Sequence, residues 1–145
     1  MNPSISLRVF LLTSLTVSAV WPSGSVFATC LNGNPSLEQE FQGATMVFVG
    51  RVDSEEFTSE SSNYLDGTTY TLHVEEMLRG SRQKTVRIFS ENTSGRFPLQ
   101  VGASYLIFAH KELDRLQVDN CGNSGEVPER TEALALLRAM KSDTR

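Results

Sequence analysis

The segment that most constrains this chain is "SYLIFAH", Ser104–His110. From Tyr105 to Ala109 it is apolar without a break. An apolar run of that length, rich in residues that favour strands, predicts a central β-strand covered on both faces. A half-buried strand alternates instead, and other segments here do so.

"TTYTLHVEE", Thr68–Glu76, sets Tyr70, Leu72 and Val74 on one face and Thr71, His73 and Glu75 on the other. "KTVRIFS", Lys84–Ser90, alternates through Val86 and Ile88. "MVFVGRV", Met46–Val52, is β-branched or aromatic in most positions and holds Gly50. A glycine inside a strand marks a bulge or a sharp bend. A last short strand is expected in "DRLQVDNC", Asp114–Cys121, through Leu116 and Val118. The connections read as polar: Cys30–Gly43, with a short helix at Leu37–Gln42; Asp53–Gly67, rich in Ser and Glu and ending in an Asp-Gly turn signal; the turn Leu78–Ser81; the irregular Glu91–Gln100; and the loop Gly122–Gly125. Pro128–Lys141 has helix character, with Pro128 suited to a first turn and Ala133, Leu134, Leu137 and Met140 along one side.

Five strands with short connections and few helices predict a mainly β domain. A curved first strand with an internal glycine fits a five-stranded, OB-fold-like Greek-key barrel with a short flanking C-terminal helix. Phe48, Tyr70, Phe89 and Tyr105 are expected in its core rather than on a stacking surface.

With 145 residues, one domain is expected. Residues 1–28 stand apart from it. Arg8 supplies a short basic start, Val9–Val20 is an apolar run too short to span a bilayer, and Val26-Phe27-Ala28 offers a cleavage site after Ala28. That is the layout of a secretory signal peptide; the alternative is an N-terminal strand or helix that stays with the domain. The expected organisation is therefore a signal peptide at 1–28, the barrel at 29–127, and a C-terminal helix and tail at 128–145, in a secreted or periplasmic protein without a membrane span. Losing Arg8 makes the net charge of −4 one unit more negative. An acidic domain has no general attraction for phosphate backbones, so no nucleic-acid partner is expected.

Cys30 and Cys121 are the two cysteines. In an exported chain they read as one disulfide, whose long loop gives up to about 4–5 kcal/mol in the chain-entropy view. The alternative is a lipid anchor on Cys30, which leaves Cys121 a free thiol. Thr29 stands where a lipoprotein signal needs a smaller residue.

Catalytic patterns are scarce. His73 and His110 have no second ligand at metal-binding spacing. Glu55-Glu56 and Glu75-Glu76 are adjacent pairs, whose side chains point to opposite faces of a strand; they read as solvated charge. Asn92-Thr93-Ser94 fits a glycosylation pattern that carries no meaning in most bacterial hosts. No catalytic residue, metal site or cofactor is expected, and the chain is not expected to be an enzyme.

Three segments, in order, carry a resemblance: "ATMVFVGRV" (Ala44–Val52), "YTLHVEEMLRG" (Tyr70–Gly80) and "VGASYLIFAHKELDRLQVDNCGNS" (Val101–Ser124). Together they resemble the netrin-like domain shared by netrins, complement proteins and tissue inhibitors of metalloproteinases (TIMPs), and most of all its short single-domain bacterial form. The resemblance implies an OB-like barrel with a flanking helix. In TIMPs a mature Cys-x-Cys start places an N-terminal amine and carbonyl on a protease's catalytic zinc. Here Leu31 and Asn32 follow Cys30, so the motif is absent. The family pattern then makes Cys30 the structural partner of the late cysteine, Cys121, and cleavage after Ala28 leaves Thr29 as the mature N-terminus.

The function expected on this basis is non-catalytic binding of an unidentified extracytoplasmic protein or surface by a monomer. Thr29, Cys30, Leu31 and Asn32 are the expected contacts, together with the Asp53–Gly67 and Glu91–Gln100 loops. The alternatives are inhibition of a metalloprotease through the mature N-terminus and binding of an oligosaccharide on the barrel.

Overall fold

A computed structural model describes residues 30, 33–58, 67–93 and 95–143. The expected signal peptide, Thr29, Leu31 and Asn32 lie outside the described residues. After helix α1 (Leu37–Gly43) come β1 (Met46–Thr58), β2 (Gly67–Arg79), β3 (Thr85–Glu91), β4 (Ser104–Glu112), β5 (Arg115–Val118) and β6 (Gly125–Glu126). A 3-10 turn at Val127–Glu129 then leads into α2 (Thr131–Asp143). The protein is thus mainly β: one antiparallel sheet of six strands with a C-terminal helix. The strand order is β3-β2-β1-β4-β5, and β6 pairs with the start of β4.

The apolar run of β4 is explained by two layers, one on each face. Tyr105, Ile107 and Ala109 join Phe48, Val52, Leu72 and Ile88 in the first. Leu106 and Phe108 join Val47, Val49, Leu134 and Leu137 in the second, which α1 closes with Leu37 and Phe41. Strand β1, between β2 and β4, is covered the same way. The stripe expected on the C-terminal helix packs on the sheet, with Leu137 wholly buried.

Gly50 sits at a register shift: Val49 faces Glu76 and Gly50 faces Val74, leaving Glu75 as the extra residue. A Cβ on Gly50 would lie 2.8 Å from the Phe48 ring and 3.1 Å from the His73 carbonyl oxygen. The shift also changes the parity of β2. Without it Leu78 would share a face with Leu72 and Val74; with it Leu78 enters the second layer.

Several boundaries differ from the sequence expectation. Asp53–Thr58 is strand, not loop: the β1–β2 ladder continues through Glu55↔Tyr70 and Phe57↔Thr68 to Thr58↔Gly67. The polar side chains there hid a backbone ladder that outruns the covering layers. Likewise β2 runs to Arg79, and the chain turns at Gly80, whose φ is +100°. Gly125–Glu126 is a sixth strand where a loop was expected, too short for any periodicity. Asp114 belongs to the Leu113–Asp114 turn between β4 and β5, where both residues have positive φ, the hand that a two-residue hairpin favours.

Glu76 is not simply solvated. Its Oε2 lies 2.6 Å from Arg138 Nη2 and holds α2 against β2, next to a Lys141 Nζ bond to the Met77 carbonyl. The sheet also curls: β3 and β5, at opposite ends of the strand order, meet where the Arg115 guanidinium stacks 4.5 Å from the centre of the Phe89 ring. Among the described residues, no helix is long and apolar enough to cross a membrane.

Candidate functional site

Two regions hold the residues singled out from the sequence. The first surrounds the N-terminal cysteine. Cys30 and Cys121 form a disulfide, with an S–S distance of 2.01 Å and Cα atoms 5.7 Å apart. The bond uses the Cys30 sulfur on which a lipid anchor would be built.

Helix α1 begins at a reciprocal cap. The Ser36 hydroxyl accepts from Gln39 N, and the Gln39 side chain accepts from Ser36 N. The cap sets the helix phase, and that phase turns Glu40 inward, where it is buried. Its Oε2 accepts from the backbone and side-chain nitrogens of Asn123, at 2.6 and 2.7 Å. Its Oε1 is 3.9 Å from His110 Nε2. Asn123 also donates to the Pro35 carbonyl. Gly122 must lack a side chain, because a Cβ there would collide with the Glu40 carboxylate. The next residue, Ser124, is buried and accepts from Phe108 N of β4 at 2.9 Å. Disulfide, carboxylate and amide thus tie Cys30, Pro35 and α1 to the loop after β5.

Glu40 escaped the sequence reading. The available signal was its place between Leu37 and Phe41 at i, i+3 and i+4 spacing, a carboxylate inside an apolar helix stripe. His110 is half-buried beside it, whereas His73 is exposed on β2. Among the described residues, no group of three or more His, Cys, Asp or Glu is arranged to hold a metal ion. Asn92 and Thr93 are exposed just after β3.

The second region is a cleft of about 480 Å³ at one end of the curled sheet. Glu55 and Phe57 of β1 and Thr68 and Tyr70 of β2 form one wall. Arg96, Pro98 and Leu99 form the other. The structure therefore brings together described parts of the two segments expected to meet a partner: Glu55 and Phe57 from Asp53–Gly67, and Arg96, Pro98 and Leu99 from Glu91–Gln100. Phe57 is 63% exposed at the rim of the cleft.

The opposing segment is held in place. Leu99 is buried in the first layer. Phe97 meets Tyr105 edge-on at 6.1 Å, and its carbonyl accepts from Ser90 Oγ. Gln100 N donates to the Tyr105 hydroxyl at 3.1 Å. Burial pushes the Tyr105 phenol above its usual pKa, the Gln100 bond opposes that, and the Glu126 carboxylate adds to the rise.

A second cavity, about 360 Å³, lies in the seam between β3 and β5. Arg96 lines both cavities, and the seam reaches Asp119 and Asn120 beside Cys121. The chain matches no family model and no curated protein.

Proposed function

We propose that this chain is an exported, non-catalytic domain of the netrin/TIMP-like kind that binds an extracytoplasmic protein through the Phe57 cleft. The observation that carries the reading is the convergence of β1 and the Arg96–Leu99 segment around one exposed aromatic ring. An exposed aromatic in a preformed cleft favours a protein partner, because such rings supply large contact area at low entropic cost.

The fold supports the family assignment. Strands β1, β2 and β3 pair in succession, and β4 returns after a long connection to lie beside β1. That is the spatial order of a Greek key. The approach of β3 to β5, with α2 alongside the sheet, supports an OB-like barrel with a flanking helix. The disulfide supports an oxidising, extracytoplasmic location. The protein acts as a monomer and needs no cofactor.

Affinity capture from the extracytoplasmic fraction tests this. The mature chain is immobilised beside a Phe57→Ser variant of equal thermal stability. A protein retained by the first and lost from the second supports the reading. Equal retention by both, or capture of nothing but chaperones, contradicts it.

A further inference from the structure

We propose that the cavity between the β2–β3 turn and the last turn of α2 binds a soluble phosphomonoester, its dianion held by Arg82, Lys84 and Lys141 and its organic part lying on Val74 and Met77. The site shares no residue with the Phe57 cleft, and the inference stands apart from the protein-binding reading.

Sequence supplies the first argument. The chain is acidic overall, yet between Glu76 and Glu91 it holds Arg79, Arg82, Lys84 and Arg87 and no carboxylate. Two of these cations are engaged elsewhere. Arg79 stacks over the Phe41 ring and donates to the Ala44 carbonyl, and Arg87 lies 3.8 Å from Glu56. Arg82 and Lys84 are exposed and make no ion pair among the described residues.

The fold supplies the second. The positive φ of Gly80 opens the turn that carries Arg82 and Lys84, and Val74 N closes it by donating to the Lys84 carbonyl at 2.9 Å. Lys141 of α2 is anchored beside them through its bond to the Met77 carbonyl, which uses one of its three ammonium donors. All three cations line one cavity of about 580 Å³. Small-molecule sites occupy roughly 300–1,000 Å³, so there is room for more than a bare phosphate. Val74 and Met77 are half-buried, pack on the first layer and give this cavity an apolar floor.

Charge selects the occupant. Glu75 and Glu76 also line the cavity. Glu76 is paired with Arg138 at 2.6 Å, outside the lining. Glu75, which accepts from Ser104 Oγ, is then the one carboxylate set against three cations, and two positive charges remain in excess. A phosphomonoester carries about 1.5 to 2 negative charges near neutral pH and three strong acceptor oxygens. A carboxylate carries half that charge. The Arg82 guanidinium adds a planar fork suited to two phosphate oxygens. With Arg79 and Arg87 engaged, the remaining cations form one spot rather than a track, which fits a discrete ester and not a polyanion.

The test titrates phenyl phosphate into the purified protein by calorimetry and heteronuclear NMR. Amide shifts are expected at His73–Met77 and Arg82–Lys84. Inorganic phosphate moves the same amides but binds more weakly, and phenylacetate binds about tenfold or more weakly than the phosphate ester. The double change Arg82→Gln with Lys84→Gln lowers affinity by about tenfold or more. It leaves the thermal midpoint unchanged, because both side chains are exposed. Lys111→Gln, which removes an exposed lysine elsewhere, leaves affinity unchanged. Absence of shifts at these amides at tens of millimolar ester overturns the proposal. Equal affinity for phenol or phenylacetate overturns it as well, as does an equal loss on Lys111→Gln. Binding to vesicles containing phosphatidate without binding of phenyl phosphate overturns it in favour of a bilayer surface.

Discussion

Glu40 Oε2 accepts both the backbone and the side-chain nitrogen of Asn123, which joins the first helix to the loop that follows Cys121. Glu40→Ala leaves two donors of Asn123 without this acceptor, one of them in the backbone. A loss of about 1–3 kcal/mol is expected. Urea unfolding checks it: the midpoint falls while the slope stays constant.

The disulfide ties the same segment across 91 positions of sequence. The double change Cys30→Ser with Cys121→Ser is expected to cost about 3–5 kcal/mol. Because both links fix one element, they are coupled. Glu40→Ala should cost less in the cysteine-free background than in the disulfide-bonded one. A double-mutant cycle by urea unfolding measures the difference, and strict additivity would show that the links act independently.

Gly50 has no space for a methyl group, with the Phe48 ring and the His73 carbonyl both inside ordinary contact distance of a Cβ. Gly50→Ala is expected to destabilise by about 1–3 kcal/mol through overpacking. Calorimetry compares the midpoints, and the same change at Gly43, where a Cβ meets nothing within 4 Å, serves as the control.

Tyr105 sets an alkaline limit. Its phenol is buried and its pKa raised above 10.0 in the folded protein. The unfolded chain releases that proton at about 10, so the unfolded state gains more from rising pH. The stability that depends on the neutral phenol is complete below pH about 10 and is lost as pH climbs through the raised folded value. Denaturant midpoints measured across that range should fall more steeply for the natural protein than for Tyr105→Phe.

Much of the fold was legible because burial writes a period into the chain. The unbroken run of β4, the alternation at Tyr70, Leu72 and Val74, and the glycine of β1 each led to the element found there. The arm of β1 and β2 was not legible. Glu55, Glu56 and Phe57 are exposed, and an exposed strand carries no apolar period. Its ladder is visible only once Tyr70 and Thr68 are known to lie opposite. Glu40 was hidden for the reverse reason. A carboxylate is read as solvated unless its donors are known, and Asn123 lies 83 residues away. Of the two segments around the cleft, Glu91–Gln100 was recognisable as a connection, whereas Asp53–Thr58 read as one and is strand. Their meeting depends on the curl of the sheet, which no local pattern encodes.

The most direct test of the binding account places a photoactivatable residue at position 57 and, separately, at position 136, since Leu136 is 53% exposed on α2. Each variant is produced from the full-length sequence and irradiated in intact cells. A discrete adduct is expected from position 57, suppressed by excess unlabelled protein, and none from position 136. Adducts from 136 without any from 57, or equal adducts from both that excess chain does not suppress, would contradict a partner site at the Phe57 cleft.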